Sequence, residues 1–274
     1  MTNQPPPTLF IFTALDCEAK PLTKFFDLKK VDRHASFSIY RSDKIVLTIS
    51  GVGKVAMAGA VAYTLAVFPD CQVPVLVNIG IAGHKVHAIG TLCSAMKIID
   101  GDTGRRFYPQ LLGSDWPETS ELKTTSLPCT QYSSDCLYDM EASAFYEMAI
   151  RYSSSELIHC FKVVSDNESS SIEKIYPKLV TEWIANQMND IVPLFQQLEK
   201  LRESILPIEL DVYNEIVNKF HLTVSGKIKL KALLLRWKVL SARAWQYDNE
   251  WGKLSGKEML KKLETEVNRL EVLL

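Results

Sequence analysis

Leu157-Ile158-His159-Cys160-Phe161-Lys162-Val163-Val164-Ser165-Asp166-Asn167 is the stretch whose reading decides the fold of this chain. Its apolar, β-branched run (Leu157, Ile158, Phe161, Val163, Val164) stops abruptly at Ser165-Asp166-Asn167, the pattern of a buried strand that delivers a carboxylate at its C-terminal end. In open α/β sheets ligands sit at that edge. An Asp kept dry there can stay protonated near neutral pH and donate a proton. The same Asp-Asn pair also suits the N-cap of a following helix, and only the rest of the chain separates the two readings.

Working outward, strand-like and helical patterns alternate. Residues 8–14 form an apolar run, and Leu15-Asp16-Cys17-Glu18 leads into a helix with Pro21 near its start, so Glu18 falls at or just past a strand end. Residues 37–49 hold two β-like runs around Arg41-Ser42-Asp43, a predicted hairpin. The second run enters Ser50-Gly51-Val52-Gly53-Lys54 and then an Ala-rich helix, a weak anion-friendly cradle without the spacing of a Walker A loop or a full dinucleotide fingerprint. Residues 73–79 read as a central strand covered on both faces and end in a second glycine turn, Gly80-Ile81-Ala82-Gly83-His84. Residues 91–108 predict a hairpin about Asp100-Gly101-Asp102-Thr103-Gly104, and Leu111–Tyr138 reads as a polar loop over or beside the site. A helix is expected from Asp139-Met140-Glu141, where acidic residues suit the helix dipole. A long amphipathic helix is expected over about 179–201, with Trp183, Met188, Ile191, Leu194, Phe195 and Leu198 inward.

From about Leu201 the α/β alternation ends. Residues 208–220, 227–247 and 255–274 each show helical periodicity, and seven basic residues with no acidic one lie between Lys219 and Arg243. A basic amphipathic helix of this kind suits an anionic or acidic partner, or is a solvated face packed on its neighbours, and the last helix also suits self-association. The expected organisation is an α/β domain over residues 8–200 and a helical extension over 201–274.

Composition narrows the classes. The 274 residues carry a net charge of −1, which gives no overall pull towards nucleic acid or membrane. No stretch approaches the roughly 20 apolar residues of a membrane span, and the N-terminal MTNQPPP lacks signal-peptide regions, so a cytoplasmic protein is expected. Six scattered cysteines without metal-ligand spacing read as reduced thiols.

Ala14-Leu15-Asp16-Cys17-Glu18, Ser50-Gly51-Val52-Gly53-Lys54, Asn78-Ile79-Gly80-Ile81-Ala82-Gly83, Asp139-Met140-Glu141-Ala142 and Val164-Ser165-Asp166 occur in that order, each near an expected strand end. Together they resemble the nucleoside phosphorylase superfamily, nearest its 5′-methylthioadenosine/S-adenosylhomocysteine nucleosidase branch, over roughly residues 8–197. The resemblance implies a central mixed, twisted sheet flanked by helices, to which this chain adds an all-helical C-terminal extension. It implies an enzyme that cleaves the N-glycosidic bond of a purine nucleoside, without metal or organic cofactor, and a homo-oligomer.

By the same resemblance, Asp166 protonates N7 of the leaving purine with Ser165 placing it, Glu141 holds the ribose hydroxyls, Met140 packs on the sugar, and Glu18 positions or activates water. Gly80, Ile81, Ala82 and Gly83 line base and sugar, and Lys162, Ser50 and Gly51 complete the substrate-binding set. Two carboxyl roles suit the chemistry, because an unprotonated purine leaves poorly while oxocarbenium character grows on the ribose. This sequence departs from the branch in four respects. Ile81 replaces a common serine, Lys162 replaces an arginine, the stretch from Gly90 to Asp139 is short, and the aromatic base-stacking motif is missing, with Tyr132, Tyr138 or Phe107 as substitutes. Phosphorolysis would need cations near the sugar, for which Arg41, Arg105, Arg106 and Lys162 are candidates. Glu18 favours water, and a catalytically slow nucleoside sensor coupled to the helical tail is the rival from another class.

Overall fold

The computed structural model describes residues 6–31, 36–113, 116–206, 210, 212–241, 245 and 251–270. The chain divides into two compact units, Met1–Leu206 and Pro207–Leu274. In order, the first unit contains β1 (Leu9–Thr13), α1 (Asp16–Phe25), β2 (Lys29–Lys30), β3 (Ser38–Arg41), β4 (Ile45–Ile49), α2 (Lys54–Val67) and β5 (Val75–His84). It continues with β6 (Leu92–Asp100), β7 (Arg106–Phe107), β8 (Glu118–Thr124), β9 (Leu137–Asp139), α3 (Ala142–Ala149), β10 (Ile158–Asp166), α4 (Pro177–Asn186) and α5 (Met188–Ile205).

Strands that are apolar on both faces require a helical layer over each. All of β1 is buried: Phe10 and Phe12 pack with Val46, Met57, Val61 and Phe145 on one side, Leu9 and Ile11 with Leu22, Val77, Ile184 and Leu194 on the other. Helices α2 and α3 therefore cover one face, and α1, α4 and α5 the other. Strand β1 lies between β4 and β5 and is parallel to both, and β5 is parallel to β10. Strand β6 is antiparallel to β10 and parallel to β8, while β9 runs parallel to β8 and antiparallel to β5, so β5, β10, β6, β8 and β9 close on themselves. The hairpins β3/β4 and β6/β7 form as read, and β10 covers the stretch that opened the sequence reading.

Three expectations are corrected. Gly80-Ile81-Ala82-Gly83-His84 is not a turn but the end of β5, paired to β10 on one side and to β9 on the other. The segment 111–138 is not all loop, because β8 runs through it. Only Ser120, Leu122 and Thr124 of that strand are buried, which leaves a polar sequence. The helix expected over 179–201 is two helices meeting at Gln187, whose side-chain amide donates to Gly90 O at 2.8 Å, and the second continues to Ile205. Met188, Ile191, Leu194, Phe195 and Leu198 are buried as read, and Trp183 is partly buried.

The second unit has its own core. Helices α6 (Tyr213–Lys219), α7 (Val224–Ser241) and α8 (Gly256–Arg269), with the 3₁₀ turn Trp251–Lys253, bring Ile216, Leu230, Leu234, Trp251, Met259 and Leu263 together. Ser255 caps α8, its hydroxyl accepting from Glu258 N at 3.4 Å while its own N–H donates to Glu258 Oε2 at 2.9 Å. The ends of the expected tail helices at 208, 209, 211, 242–244, 246, 247 and 271–274 lie outside the described residues. Among the described residues no helix is long and apolar enough to cross a membrane.

Asp100, at the end of β6, fastens three elements of the first unit. Oδ2 accepts from Lys54 Nζ at 3.0 Å and Ser143 Oγ at 2.8 Å, and Oδ1 from the backbone N–H groups of Asp102 and Thr103 at 3.1 and 2.9 Å. Burial works against its charge, but these donors outweigh it and hold the carboxyl well below the usual range. Replacing Asp100 by Ala is expected to lower stability by about 2–4 kcal/mol through the orphaned donors. Denaturant unfolding measures this, and a loss under about 0.5 kcal/mol, the scale of an ordinary surface change, would contradict it.

Candidate active site

Glu18 lies in the first turn of α1 and is 2 % exposed. Its Oε2 accepts from the backbone N–H groups of Ala14 and Leu15 at 2.8 and 2.9 Å, and its Oε1 from Ile81 N at 3.0 Å, tying the β1–α1 junction to β5. Gly80 permits this: a Cβ there would stand 2.8 Å from Glu18 Oε1 and 3.4 Å from Lys162 Nζ. Burial pushes the Glu18 carboxyl up, opposed by the Lys162 charge and those three N–H groups.

Lys162 is opposite Gly80 in the β5–β10 pairing and is 1 % exposed. Its Nζ is 2.8 Å from Asp139 Oδ2. Burial disfavours its charge, but Asp139 and then Glu141 outweigh burial and hold the ammonium above its usual range. Asp139 ends β9 instead of starting a helix, and it also accepts from Thr124 Oγ1 at 2.7 Å and Ala142 N at 2.9 Å. Helix α3 begins at Ala142 with Glu141 at its N-cap. Glu141 Oε1 accepts from Gly53 N at 2.7 Å, and Gly53 has the positive φ of +99° that glycine adopts readily. Burial first, then the Asp139 charge, pushes Glu141 up.

Asp166 ends β10 and is 3 % exposed. Ser165 Oγ lies 2.5 Å from its Oδ1, and the Tyr132 hydroxyl donates to Oδ2. The helix-cap reading does not apply: the chain beyond turns on Asn167, whose Oδ1 accepts from the backbone N–H groups of Ser169 and Ser170. A short 3₁₀ turn, Ile172–Lys174, follows.

Four of these side chains, those of Glu18, Asp139, Glu141 and Asp166, line one cavity of about 190 Å³. Glu18, Glu141 and Asp166 reach its wall, with Met140, Ile81, Ala82, Gly83 and Ser165 between them. Ser50, Gly51, Gly80 and Lys162 do not: Ser50 bonds its own turn through Gly51 O at 2.7 Å, and Gly80 and Lys162 lie behind Glu18. Sequence reasoning did not count Ala14, Leu15, Val52, Pro128, Cys129, Asp139 or Ile172 as site residues, and all reach the wall. Of the proposed aromatic substitutes Tyr138 is at the wall, Tyr132 touches Asp166 from outside it, and Phe107 packs on Tyr146 at 5.5 Å. Among the described residues no lysine or arginine lines the cavity: Arg105 pairs with Glu147, Lys54 with Asp100 and Asp102, and Lys162 with Asp139. Among the described residues no three His, Cys, Asp or Glu side chains are grouped to hold a metal ion.

No protein-family model and no curated protein matches the sequence. Solved structures do match. A 5′-methylthioadenosine/S-adenosylhomocysteine nucleosidase from Colwellia psychrerythraea, solved with adenine, gives a TM-score of 0.57 at 18% identity, covering 72% of this chain and 98% of that one. The Arabidopsis thaliana 5′-methylthioadenosine nucleosidase gives 0.59 at 14% identity, covering 71% and 97%. The futalosine hydrolase of Helicobacter pylori gives 0.53 at 13% identity, covering 69% and 98%. The likeness establishes the fold, which is that of these nucleosidases.

Replacing Lys162 by Met leaves Asp139, Glu18 and Glu141 crowded without a cation. An expected loss of about 3–5 kcal/mol follows, and the added change Asp139→Asn should recover part of it. Equilibrium unfolding of the two variants tests this, and a single-variant loss below about 1 kcal/mol, the scale of an exposed pair, would count against a buried ion pair.

Proposed function

We propose that the first unit is a nucleosidase that hydrolyses the N-glycosidic bond of a purine nucleoside, the 5′-thio-substituted nucleosides being the first candidates. The observation that carries this reading is the arrival of Glu18, Glu141 and Asp166, each a buried residue from a distant part of the chain, on one small cavity. Asp166 delivers a proton to N7 of the leaving base, with Ser165 fixing the carboxyl. Glu141 accepts from the ribose hydroxyls, and Met140 packs on the sugar. Glu18 orients the attacking water through a carboxylate that backbone N–H groups already hold in place. Oxocarbenium character on the ribose finds carboxylates about it, as in glycosidases. The nucleosidase fold supports the reading, and the adenine bound by the Colwellia enzyme supports purine as the base class.

Water is favoured over phosphate as nucleophile because the wall carries carboxylates and, among the described residues, no cation, so a phosphate dianion there would meet like charge. Incubation with a panel of purine nucleosides, with and without phosphate, should release free base at the same rate in both. Release only with phosphate would mean phosphorolysis, and binding without release would mean a sensor. In the variant Asp166→Asn, release should fall by about 10²–10⁴-fold, the usual contribution of a general acid, while nucleoside binding persists. Undiminished release would remove Asp166 from its role.

Glu141 and Glu18 act ionised in this scheme, and burial raises both. A raised carboxyl holds its proton to higher pH, so kcat/KM should rise with pH along an acid limb above the ordinary carboxyl value of about 4.3. A pH profile flat down to about that value would contradict ionised roles for the pair.

A further inference from the structure

Asp166 faces the cavity, whereas Tyr132, whose hydroxyl donates to Asp166 Oδ2, is not part of its wall. The phenol therefore meets the carboxylate from the protein side and leaves the cavity side open to a ligand. Gly83 makes room for the approach, since a Cβ there would stand 2.7 Å from the Tyr132 hydroxyl oxygen and 2.8 Å from Asp166 Oδ2. The ring is 8 % exposed and packs on Tyr138 at 5.6 Å between centroids. The Tyr138 hydroxyl in turn accepts from Ser134 N at 3.1 Å, which ties the segment just after Tyr132 to the ring it packs on. With Ser165 Oγ at 2.5 Å from Oδ1, each carboxylate oxygen meets a hydroxyl from a different part of the chain.

We propose that Tyr132 is a positioning residue for proton delivery: its hydroxyl fixes Asp166 and stabilises the carboxylate that remains once the proton has passed to the leaving base. This rests on the nucleosidase reading. In that step the Asp166 O–H bond breaks as N7–H forms, and the C1′–N9 pair leaves with the base. Water adds its oxygen to C1′ and yields its proton to Glu18. A donor aimed at Asp166 is worth most when that charge appears, because hydrogen bonds to ionised groups are the strong ones. Burial, and then the Asp166 contact, push the Tyr132 phenol up, so it stays a donor over the working pH range.

A buried tyrosine hydroxyl needs a partner in any case, so the test must separate proton delivery from packing. A p-nitrophenyl riboside serves, because its phenolate departs without a proton. In the full chain, Tyr132→Phe should lower kcat for the purine nucleoside by about 10–100-fold, the worth of one charge-assisted hydrogen bond, with KM little changed. The same variant should cleave the p-nitrophenyl riboside within roughly twofold of the parent rate, as expected when the missing interaction acts only on a proton-requiring departure. Asp166→Asn should show the same selectivity. Equal losses on both substrates would mean that the hydroxyl only holds the fold, and would overturn the proposal. So would an undiminished purine rate. A parent chain that cleaves neither riboside removes the nucleosidase reading and the proposal together, whereas parent cleavage with either contrary Tyr132 result removes the proposal alone.

Discussion

One ammonium group serves a site crowded with carboxylates. Lys162 is buried at the centre of β10, paired with Asp139 and close behind Glu18, with the Glu141 charge also acting on it. An unpaired charge at such a position would be prohibitive, and a cation among carboxylates is retained only when the remaining oxygens have other donors. The backbone supplies them: Ala14, Leu15 and Ile81 for Glu18, Gly53 for Glu141, and Ala142 for Asp139. The ion pair and the strand register therefore depend on one another. A slip of one residue between β5 and β10 would turn Lys162 to the opposite face of the sheet and take it from opposite Gly80.

Two of the departures from the branch pattern, Ile81 and Lys162, take on a physical meaning in this arrangement. At position 81 the site uses the backbone N–H, which donates to Glu18 Oε1, so an isoleucine side chain is compatible with that contact. At position 162 the partner is one oxygen of Asp139, whose other oxygen is taken by Thr124. A compact ammonium suits a single oxygen, whereas a guanidinium fork seeks two.

Much of this was legible in the sequence because burial on both faces leaves unbroken apolar runs, as in β1, β5 and β10, and because chemically distinctive residues stood at their ends. The glycines misled. Gly80 and Gly83 read as turn punctuation, yet both sit inside a paired strand, where the missing side chain admits Glu18 at one position and Tyr132 with Asp166 at the other. Close approach leaves no periodic trace, and a turn does. Strand β8 escaped notice for the opposite reason: half of it faces away from the core, and Glu118, Glu121 and Lys123 hide its alternation. The break at Gln187 depends on a carbonyl 97 residues earlier, and the Tyr132–Asp166 contact spans 34 residues, separations that local pattern does not register.

The three carboxyls differ by what each is tied to, and that difference divides their labour on the nucleosidase reading. Glu18 and Glu141 are held by backbone N–H groups and share the field of one lysine, so both are tuned by elements that cannot rotate away. Asp166 is held by two side-chain hydroxyls, those of Ser165 and Tyr132. A group that must give up a proton in mid-reaction benefits from donors already aimed at the charge it leaves behind, and groups that must hold a sugar and a water benefit from equally fixed donors. The wall also includes Pro128, Cys129, Tyr138 and Ile172. On the same reading, recognition of the base falls to the shape of that wall and to Asp166, while the sugar is read by the glutamates.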